Sequence, residues 1–267
     1  MGKKLPYKYN LKKGKIKKGD LLFHEHVKKN VIIPQSADLR EGYGSIKDQG
    51  QLGACTSFSA CSVLEYLLNK DVSLSELYFY FQERKEDGDI KEDSGSSISC
   101  SAEVAAAIGT CTEILDPYDI SKFTVPPTPE MDADAKKHKA VKKYAVTTID
   151  DILYSVGVLK KPVLIGIDVY ESFENIGSDG YIPMPRKGEE LLGGHALNVC
   201  GYFHKDKSIF AQFEGEFEKI FTKTRYKGLY FIVRNSWGTS FGDKGYIYMP
   251  AQFLLKYSSD WWYIDLK

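Results

Sequence analysis

Gln49-Gly50-Gln51-Leu52-Gly53-Ala54-Cys55-Thr56-Ser57-Phe58 is a glycine-bearing loop that runs into a helical repeat. Phe58, Cys61, Leu64, Leu67 and Leu68 lie on one face at helical spacing, which predicts a buried helix over residues 54–70. Cys55 falls at its first turn. The free N–H groups of a helix start stabilise an anion, so a thiolate is favoured there and the thiol is nucleophilic. Taken alone, a small buried cysteine is the competing interpretation.

Two later stretches share that ambiguity when taken singly. Gly193-Gly194-His195-Ala196-Leu197 places a histidine in an apolar strand behind two glycines that admit a close backbone, and a satisfied core histidine fits equally. Arg234-Asn235-Ser236-Trp237-Gly238 follows the apolar run Leu229 to Val233, and a strand end with a turn fits it. Together they supply one chemistry: a thiolate nucleophile, an imidazole that takes and returns its proton, and an amide that fixes the imidazole tautomer. Gln49 supplies an amide donor for an oxyanion beside the Cys55 backbone N–H, and Trp237 screens the His195–Asn235 bond from water.

Outward from these motifs, helices are predicted over 74–86, capped by Ser73 or Ser75, over 97–108, closed by Gly109, and over 131–143 after Pro117, Pro126, Pro127 and Pro129. Strands are predicted over 144–149, 163–169, 195–202, 229–233 and 245–248, rich in Val, Ile and Tyr. A helical half, about 50–143, precedes a β-rich half, about 144–267, which indicates α+β with two subdomains and a cleft between them.

With 267 residues, 43% hydrophobic and 27% charged, the chain can bury a full core, which excludes a mainly disordered or fibrous protein. It carries neither an apolar run long enough for a membrane helix nor a recognisable secretory signal. The five cysteines, Cys55, Cys61, Cys100, Cys111 and Cys200, are odd in number and irregular in spacing, so at least one thiol is free. No CxxC or HExxH pattern occurs, and neither a metal nor a cofactor is expected. The zero net charge hides a split. Residues 1–30 hold ten Lys against Asp20 and Glu25, a net +8, so residues 31–267 carry 26 cations against 34 carboxylates, a net −8. A solvated tail, a nucleic-acid arm and a segment docked on its own acidic body all fit that split. The tail has Tyr7 and Tyr9 but no Arg, and no nucleic-acid or membrane partner is expected.

At these residues the chain resembles the papain family of cysteine peptidases, over about Ile33 to the C-terminus. Gln49 to Cys55 is similar to the family's oxyanion-glutamine and nucleophile segment, Gly194-His195-Ala196 to its histidine segment, and Asn235-Ser236-Trp237-Gly238 with Gly242 and Gly245-Tyr246 to its asparagine segment. The resemblance implies a helical left half, a β-barrel-like right half, catalytic Cys55, His195 and Asn235, Gln49 in the oxyanion hole, and peptide or protein substrates. It further implies that Gly95-Ser96-Ser97, with Gly193 and Gly194, contact substrate backbone as an added strand, although a helix N-cap also explains the serines. Ile98, Gly193 and Asp260-Trp261-Trp262-Tyr263 are expected near the specificity pocket. Leu52 and Thr56 replace the cysteine and aromatic of the animal and plant branch, so that branch's active-site disulfide cannot form. They are similar to a bacterial and viral branch, for which an intracellular or virion-packaged location is expected over secretion. Residues 1–32 are an N-terminal extension shorter than the family's propeptides, expected to cover the cleft of the peptidase domain, 33–267, as in a zymogen. The charged stretch 203–228 is expected as a surface insertion. A catalytically idle peptide-binding module and a thioester-using transferase or ligase stay open as alternatives.

Overall fold

Every residue from Cys55 to Glu65 is buried, so the first helix, α1 (Cys55–Leu67), is enclosed on all sides rather than lying on a surface. The computed structural model describes residues 7–28, 30–205 and 226–267. Around α1 pack α2 (Glu76–Glu86) and α3 (Ile98–Ala107). Ser75 caps α2 by accepting from Tyr78 N at 3.0 Å, and Ser97 caps α3 by accepting from Cys100 N at 3.2 Å. Gly109, just past α3, takes φ +83°, the left-handed conformation that ends a helix without a Cβ penalty.

The β-rich half is one antiparallel sheet: β1 (Ala37–Asp38), β2 (Lys142–Val146), β3 (Val163–Tyr170), β4 (Leu191–His204), β5 (Leu229–Arg234), β6 (Tyr246–Pro250) and β7 (Ser258–Asp265). Its order is β2-β7-β3-β4-β5-β6, with β1 also on β4. The α+β expectation stands, but the right half is an open sheet and not a closed barrel, because β2 and β6 end it without pairing to each other. The long strand β4 carries His195 and crosses behind α1. Ser59 Oγ donates to Leu197 O at 2.7 Å and Asn198 Nδ2 donates to Ser62 Oγ at 2.9 Å, tying helix to strand.

Local signals misplaced two elements and missed a third. The helix expected over 131–143 is Pro129–Ala135, because Thr128 caps it with Pro129 in its first turn, and residues 142–146 pair with β7 instead. The strand expected over 144–149 stops at Val146. Thr148 caps a helix Ile149–Tyr154 by accepting from Asp151 N. The aromatic C-terminus is itself a strand. Trp261 and Tyr263 of β7 join the right-half core while Trp262 and Ile264 face α1 and α3, the period-2 alternation of a strand buried on both faces. Most of the charged insertion expected over 203–228 lies outside the described residues. Its base closes where Lys205 N donates to Gly228 O at 2.9 Å.

The basic N-terminal segment is built into the molecule in two places. Residues 7–13 run through the groove between the halves. Farther along, Ala145 N donates to Leu21 O at 2.8 Å, so the chain shields the open β2 edge. Phe23, 1% exposed, is inserted among Tyr144, Tyr154 and Tyr263, with ring centroids 4.9–6.4 Å away. The extension expected to end at residue 32 therefore contributes a core residue to the sheet. Phe23→Ala should cost about 3–5 kcal/mol, the usual range for emptying a buried aromatic site. Urea unfolding checks this, and a midpoint unchanged from the parent chain would show that the segment merely rests on the surface.

Candidate active site

The Cys55 end of α1 has no side-chain cap, since Ala54 holds the N-cap position, so its first-turn N–H groups stay free to face an anion. The sulfur lies against the backbone N–H of Ala196, the residue after His195. His195 is the fifth residue of β4, opposite Ile167 of β3. Asn235 directly follows β5, the other neighbour of β4. The strand pairing therefore sets the 2.8 Å contact between His195 Nε2 and Asn235 Oδ1. An amide oxygen only accepts, so Nε2 carries the hydrogen and Nδ1 is left as the basic nitrogen. Nδ1 is buried with no hydrogen-bond partner among the described residues, as a base awaiting a proton must be.

Trp237 is 1% exposed and stacks on the His195 ring at 4.6 Å between centroids, with 25° between planes. The indole thus lies over the ring that bonds Asn235. Phe173 and Phe241 meet the indole edge-on and fix it. Gln49, fully buried, is clamped to the same turn. Its N–H donates to Ser236 O at 2.9 Å, its Oε1 accepts from Ser236 Oγ at 2.7 Å, and its Nε2 donates to Leu52 O at 3.0 Å. An amide nitrogen has two hydrogens, so one remains for an oxyanion.

Residues 7–13 occupy the groove above this group as an extended strap. Gly194 N donates to Tyr9 O and Leu11 N to Gly194 O, both at 3.2 Å, and Lys12 N donates to Ser96 O at 2.8 Å. Tyr7 lies flat on Trp237, 4.5 Å between centroids and 5° between planes. A Cβ on Gly95 would strike the Asn10 carbonyl, and one on Gly193 would meet the Tyr9 carbonyl at 2.5 Å, so these glycines are what allow a second backbone so close. Gly95, Ser96, Gly193 and Gly194 thus do line an extended chain. Ser97 does not, because its hydroxyl caps α3.

Burial of this covered state reverses the expected charges. It pushes the Cys55 thiol up to about 12 and the His195 imidazole down to about 4. Between those values the two are a neutral thiol and a neutral imidazole, where the helix start by itself predicts a thiolate at Cys55. Sequence reasoning also missed Glu83. It lies buried beneath the nucleophile, accepting from Thr56 Oγ1 at 2.8 Å and from Ser101 Oγ, and burial raises it to about 8. Glu83 follows the apolar-aromatic run Leu77 to Phe81 and stands among Gln82, Arg84, Lys85 and Glu86, so its local sequence reads as a charged helix end and carries no signal of burial. Ser236 was missed as the second clamp on Gln49, and nothing in its local sequence distinguishes it.

The charge reversal has a sign that can be checked. The covered state holds His195 near 4 against an ordinary value of 6.5, so it binds fewer protons than an uncovered state with an ordinary imidazole. Covering is at full strength between pH 6.5 and the ordinary thiol value of 9.0, weakens as pH falls toward about 4 through His195, and weakens above 9.0 through Cys55, whose thiol the covered state keeps protonated. The rate at which a thiol-directed epoxysuccinyl probe labels the full chain, divided by the rate for the chain lacking residues 1–13, should rise as pH falls from 6.5 toward about 4. A flat ratio would contradict the assignment.

The family model for papain family cysteine proteases matches residues 33–254. An uncharacterized peptidase C1-like protein of Acanthamoeba polyphaga mimivirus is 30% identical over 257 residues, 90% of this chain and 73% of that one. Cysteine proteinase 3 of Entamoeba histolytica is 25% identical over 80% of this chain, which spans 61% of that protein. Among solved structures, xylellain, a cysteine protease from Xylella fastidiosa, superposes with a TM-score of 0.81 at 24% identity, covering 100% of this chain and 99% of that one. Digestive procathepsin L 3 of Tenebrio molitor superposes at 0.68 and 20% identity, covering 97% and 76%. With a family match over most of its length, and with thiol, imidazole and amide on the elements just described, the chain belongs to the papain family of cysteine proteases.

Proposed function

We propose that the protein hydrolyses peptide bonds through a Cys55 thioester and that its residues 7–13 hold it inactive. The observation that carries the reading is that His195 spends Nε2 on Asn235 and keeps Nδ1 unpartnered among the described residues, while the next residue of its strand, Ala196, holds the sulfur of the fully buried Cys55. Nδ1 takes the thiol proton, and the sulfur attacks the substrate carbonyl carbon. The oxyanion is met by the remaining Gln49 N–H and the Cys55 backbone N–H. The C–N bond breaks as His195 returns the proton to the leaving amine, and a thioester remains. Water, losing its proton to Nδ1, then attacks the thioester and releases the acid and the thiol. A transferase would differ only in replacing that water.

The inhibitory role rests on where the strap lies. Its backbone pairs with Gly194 and Ser96, and its Tyr7 covers Trp237, so an incoming peptide meets an occupied groove. The magnitudes show what holds it there. Lys8–Asp93, Lys12–Asp87 and Lys13–Asp168 are partly exposed ion pairs at 2.6, 2.9 and 3.9 Å, each worth about 0.2–1 kcal/mol. Three backbone hydrogen bonds at about 1 kcal/mol each, the ring stack at about 0.5–1.5 kcal/mol, and a Tyr9 hydroxyl bonded to Glu174 outweigh them. Backbone and aromatic contacts therefore dominate docking, and the charge split only assists it. Because Phe23 belongs to the core, relief of inhibition requires removal or displacement of residues before about Gly14, not loss of the whole extension.

Intact-mass labelling with an epoxysuccinyl probe tests both parts. A chain beginning at Gly14 should gain one label, lost in Cys55→Ala, while the full chain labels at least tenfold more slowly. Equal rates for the two lengths would discard the inhibitory strap and keep the peptidase. No label on either, with the fold intact, would favour a peptide-binding module.

Salt gives a separate check. Raising ionic strength from 0.1 to 1 M shortens the Debye length from about 10 to about 3 Å, which screens the three ion pairs and leaves the larger contributions in place. Protection of the full chain should survive 1 M salt. Full labelling there would mean that charge alone holds the strap.

A further inference from the structure

Glu83 of α2 is fully buried, and the two side chains that hold it, Thr56 of α1 and Ser101 of α3, are fully buried with it. The reaction steps above leave all three unused. Thr56 Oγ1 lies 2.8 Å from one carboxyl oxygen and Ser101 Oγ lies against the other. Thr56 directly follows Cys55, so the acid stands at the first turn of the helix that carries the nucleophile. Glu76 of the same helix has Lys47 at 2.7 Å, whereas Glu83 has no cation in ion-pair range among the described residues. Arg84, next along the chain, spends its guanidinium on the carbonyls of Ile90, Glu92 and Phe123. A negative carboxylate so placed is costly, which favours the protonated form.

The hydrogens around Ser101 decide where that proton sits. Ser101 Oγ is 3.1 Å from the Ser97 carbonyl as well as against Glu83 Oε1. A hydroxyl has one hydrogen to give, and a carbonyl only accepts. With Glu83 protonated every group is served. Ser101 donates to Ser97 O, Glu83 Oε1 donates to Ser101 Oγ, and Glu83 Oε2 accepts from Thr56 Oγ1. With Glu83 ionised, the Ser101 bond reverses, and the hydroxyl gives up Ser97 O to donate to the carboxylate. The cluster thus has two arrangements that differ by one proton. Burial pushes the carboxyl up to about 8, so the neutral arrangement holds at neutral pH.

The titratable groups that face Glu83 are Cys55 and Cys61 of α1, Cys100 of α3, and Arg84 and Asp87 of its own helix, with Lys12 of the strap on Asp87 at 2.9 Å. Cys61 and Cys100 donate to the carbonyls of Ser75 and of Glu83 itself. Cys55 is the thiol at the reacting centre, and a negative Glu83 opposes charge on its sulfur. The enclosing helices are α1, α2 and α3, so opening the groove leaves Glu83 buried.

From this geometry we infer that Glu83 is a positioning acid for the nucleophile: with its proton it holds Thr56 and leaves Cys55 free to ionise, and without it a negative charge beneath the sulfur returns the thiolate–imidazolium pair to thiol and imidazole. The inference rests on the peptidase reading above and adds a residue that closes the reaction on the alkaline side. The protons balance. One leaves Glu83 for solvent, and a second passes from His195 Nδ1 to Cys55 Sγ.

The test uses the full-length chain carrying Tyr7→Ala, Tyr9→Ala and Leu11→Pro, which removes the ring stack, the bond to Glu174 and the N–H donated to Gly194, and leaves Lys12 on Asp87. Labelling of Cys55 by the epoxysuccinyl probe establishes that the groove is open. The pH dependence of kcat/KM for a fluorogenic peptide is then compared with and without Glu83→Gln, whose amide accepts from Thr56 and donates to Ser101 but carries no charge. The acid limbs should coincide, and the alkaline limb of Glu83→Gln should lie about one pH unit higher, about a tenfold gain on that limb. Glu83→Asp keeps an acid and should keep the parent's limb. Should Glu83→Gln not fold, Glu83→Met removes the charge at similar length and should show the same displacement. Infrared difference spectra of parent against the uncharged variant should show a protonated-carboxyl band at neutral pH that disappears along the alkaline limb. Superimposable alkaline limbs, or a carboxylate band already at neutral pH, would overturn the inference while leaving the peptidase standing. So would a rate lowered by one factor at every pH, as loss of packing alone gives. Failure of Cys55 to label in the opened chain would overturn the peptidase reading itself.

Discussion

The packing of α1 against β4 is the constraint on which everything else depends. A helix buried on all sides can start next to a histidine-bearing strand only if its polar side chains find partners inside. Ser59 and Ser62 do so by bonding to Leu197 and Asn198 of that strand. This fixes the helix start, and with it Cys55, against Ala196. The two neighbours of β4 finish the arrangement, with β5 delivering Asn235 to His195 and β3 delivering Asp168 to the groove wall. Lys47, bonded to Glu65 of α1 at 3.0 Å and Glu76 of α2 at 2.7 Å, anchors the segment that leads into Gln49. Breaking such a buried charge set by removing one member is costly, so the oxyanion side of the site is held as firmly as the nucleophile.

The N-terminal segment uses strand physics without being a member of the sheet. Tyr7, Tyr9 and Leu11 point to the right half, meeting Trp237, Glu174 and Gly194, while Lys8, Asn10 and Lys12 point to the left half, meeting Asp93 and Asp87. A period of two places each set on its own wall of a two-sided groove. The segment then turns outward through Gly14 and Gly19 and inserts Phe23 into the sheet's core. One stretch of chain thus both occupies the groove and anchors in the core, so under the proposed function its first part can leave without dismantling the fold.

The covered site also shows how burial overrides local electrostatics. An uncapped helix start favours a thiolate by about 0.3–1 kcal/mol, or up to ~2 when partly buried. Complete desolvation of the sulfur and of the imidazole opposes this and wins, leaving both neutral. Once a substrate groove is open to water, the penalty falls and the ion pair becomes accessible. On the proposed reading, the same strap that covers Cys55 also withholds the charge state that makes it reactive.

Much of the site was legible because its signals are local. Cys55 at a helix start, Ser75 and Ser97 as caps, Gly109 as a terminator and the strand carrying His195 all follow from spacing and backbone preference within a few residues. The alternation Tyr7, Tyr9, Leu11 was equally present, but its meaning needs a two-walled groove to face. What the sequence could not contain is what depends on partners far along the chain. Trp262 reads as a strand residue only when β3 and β2 flank it. Glu83 becomes important only when folding sets it under Thr56, 27 residues away. The order of thiol, imidazole and amide was thus determined by the sequence itself, while their charge state and the segment above them were decided by the tertiary structure, because ionisation and access depend on burial, and burial belongs to the whole molecule.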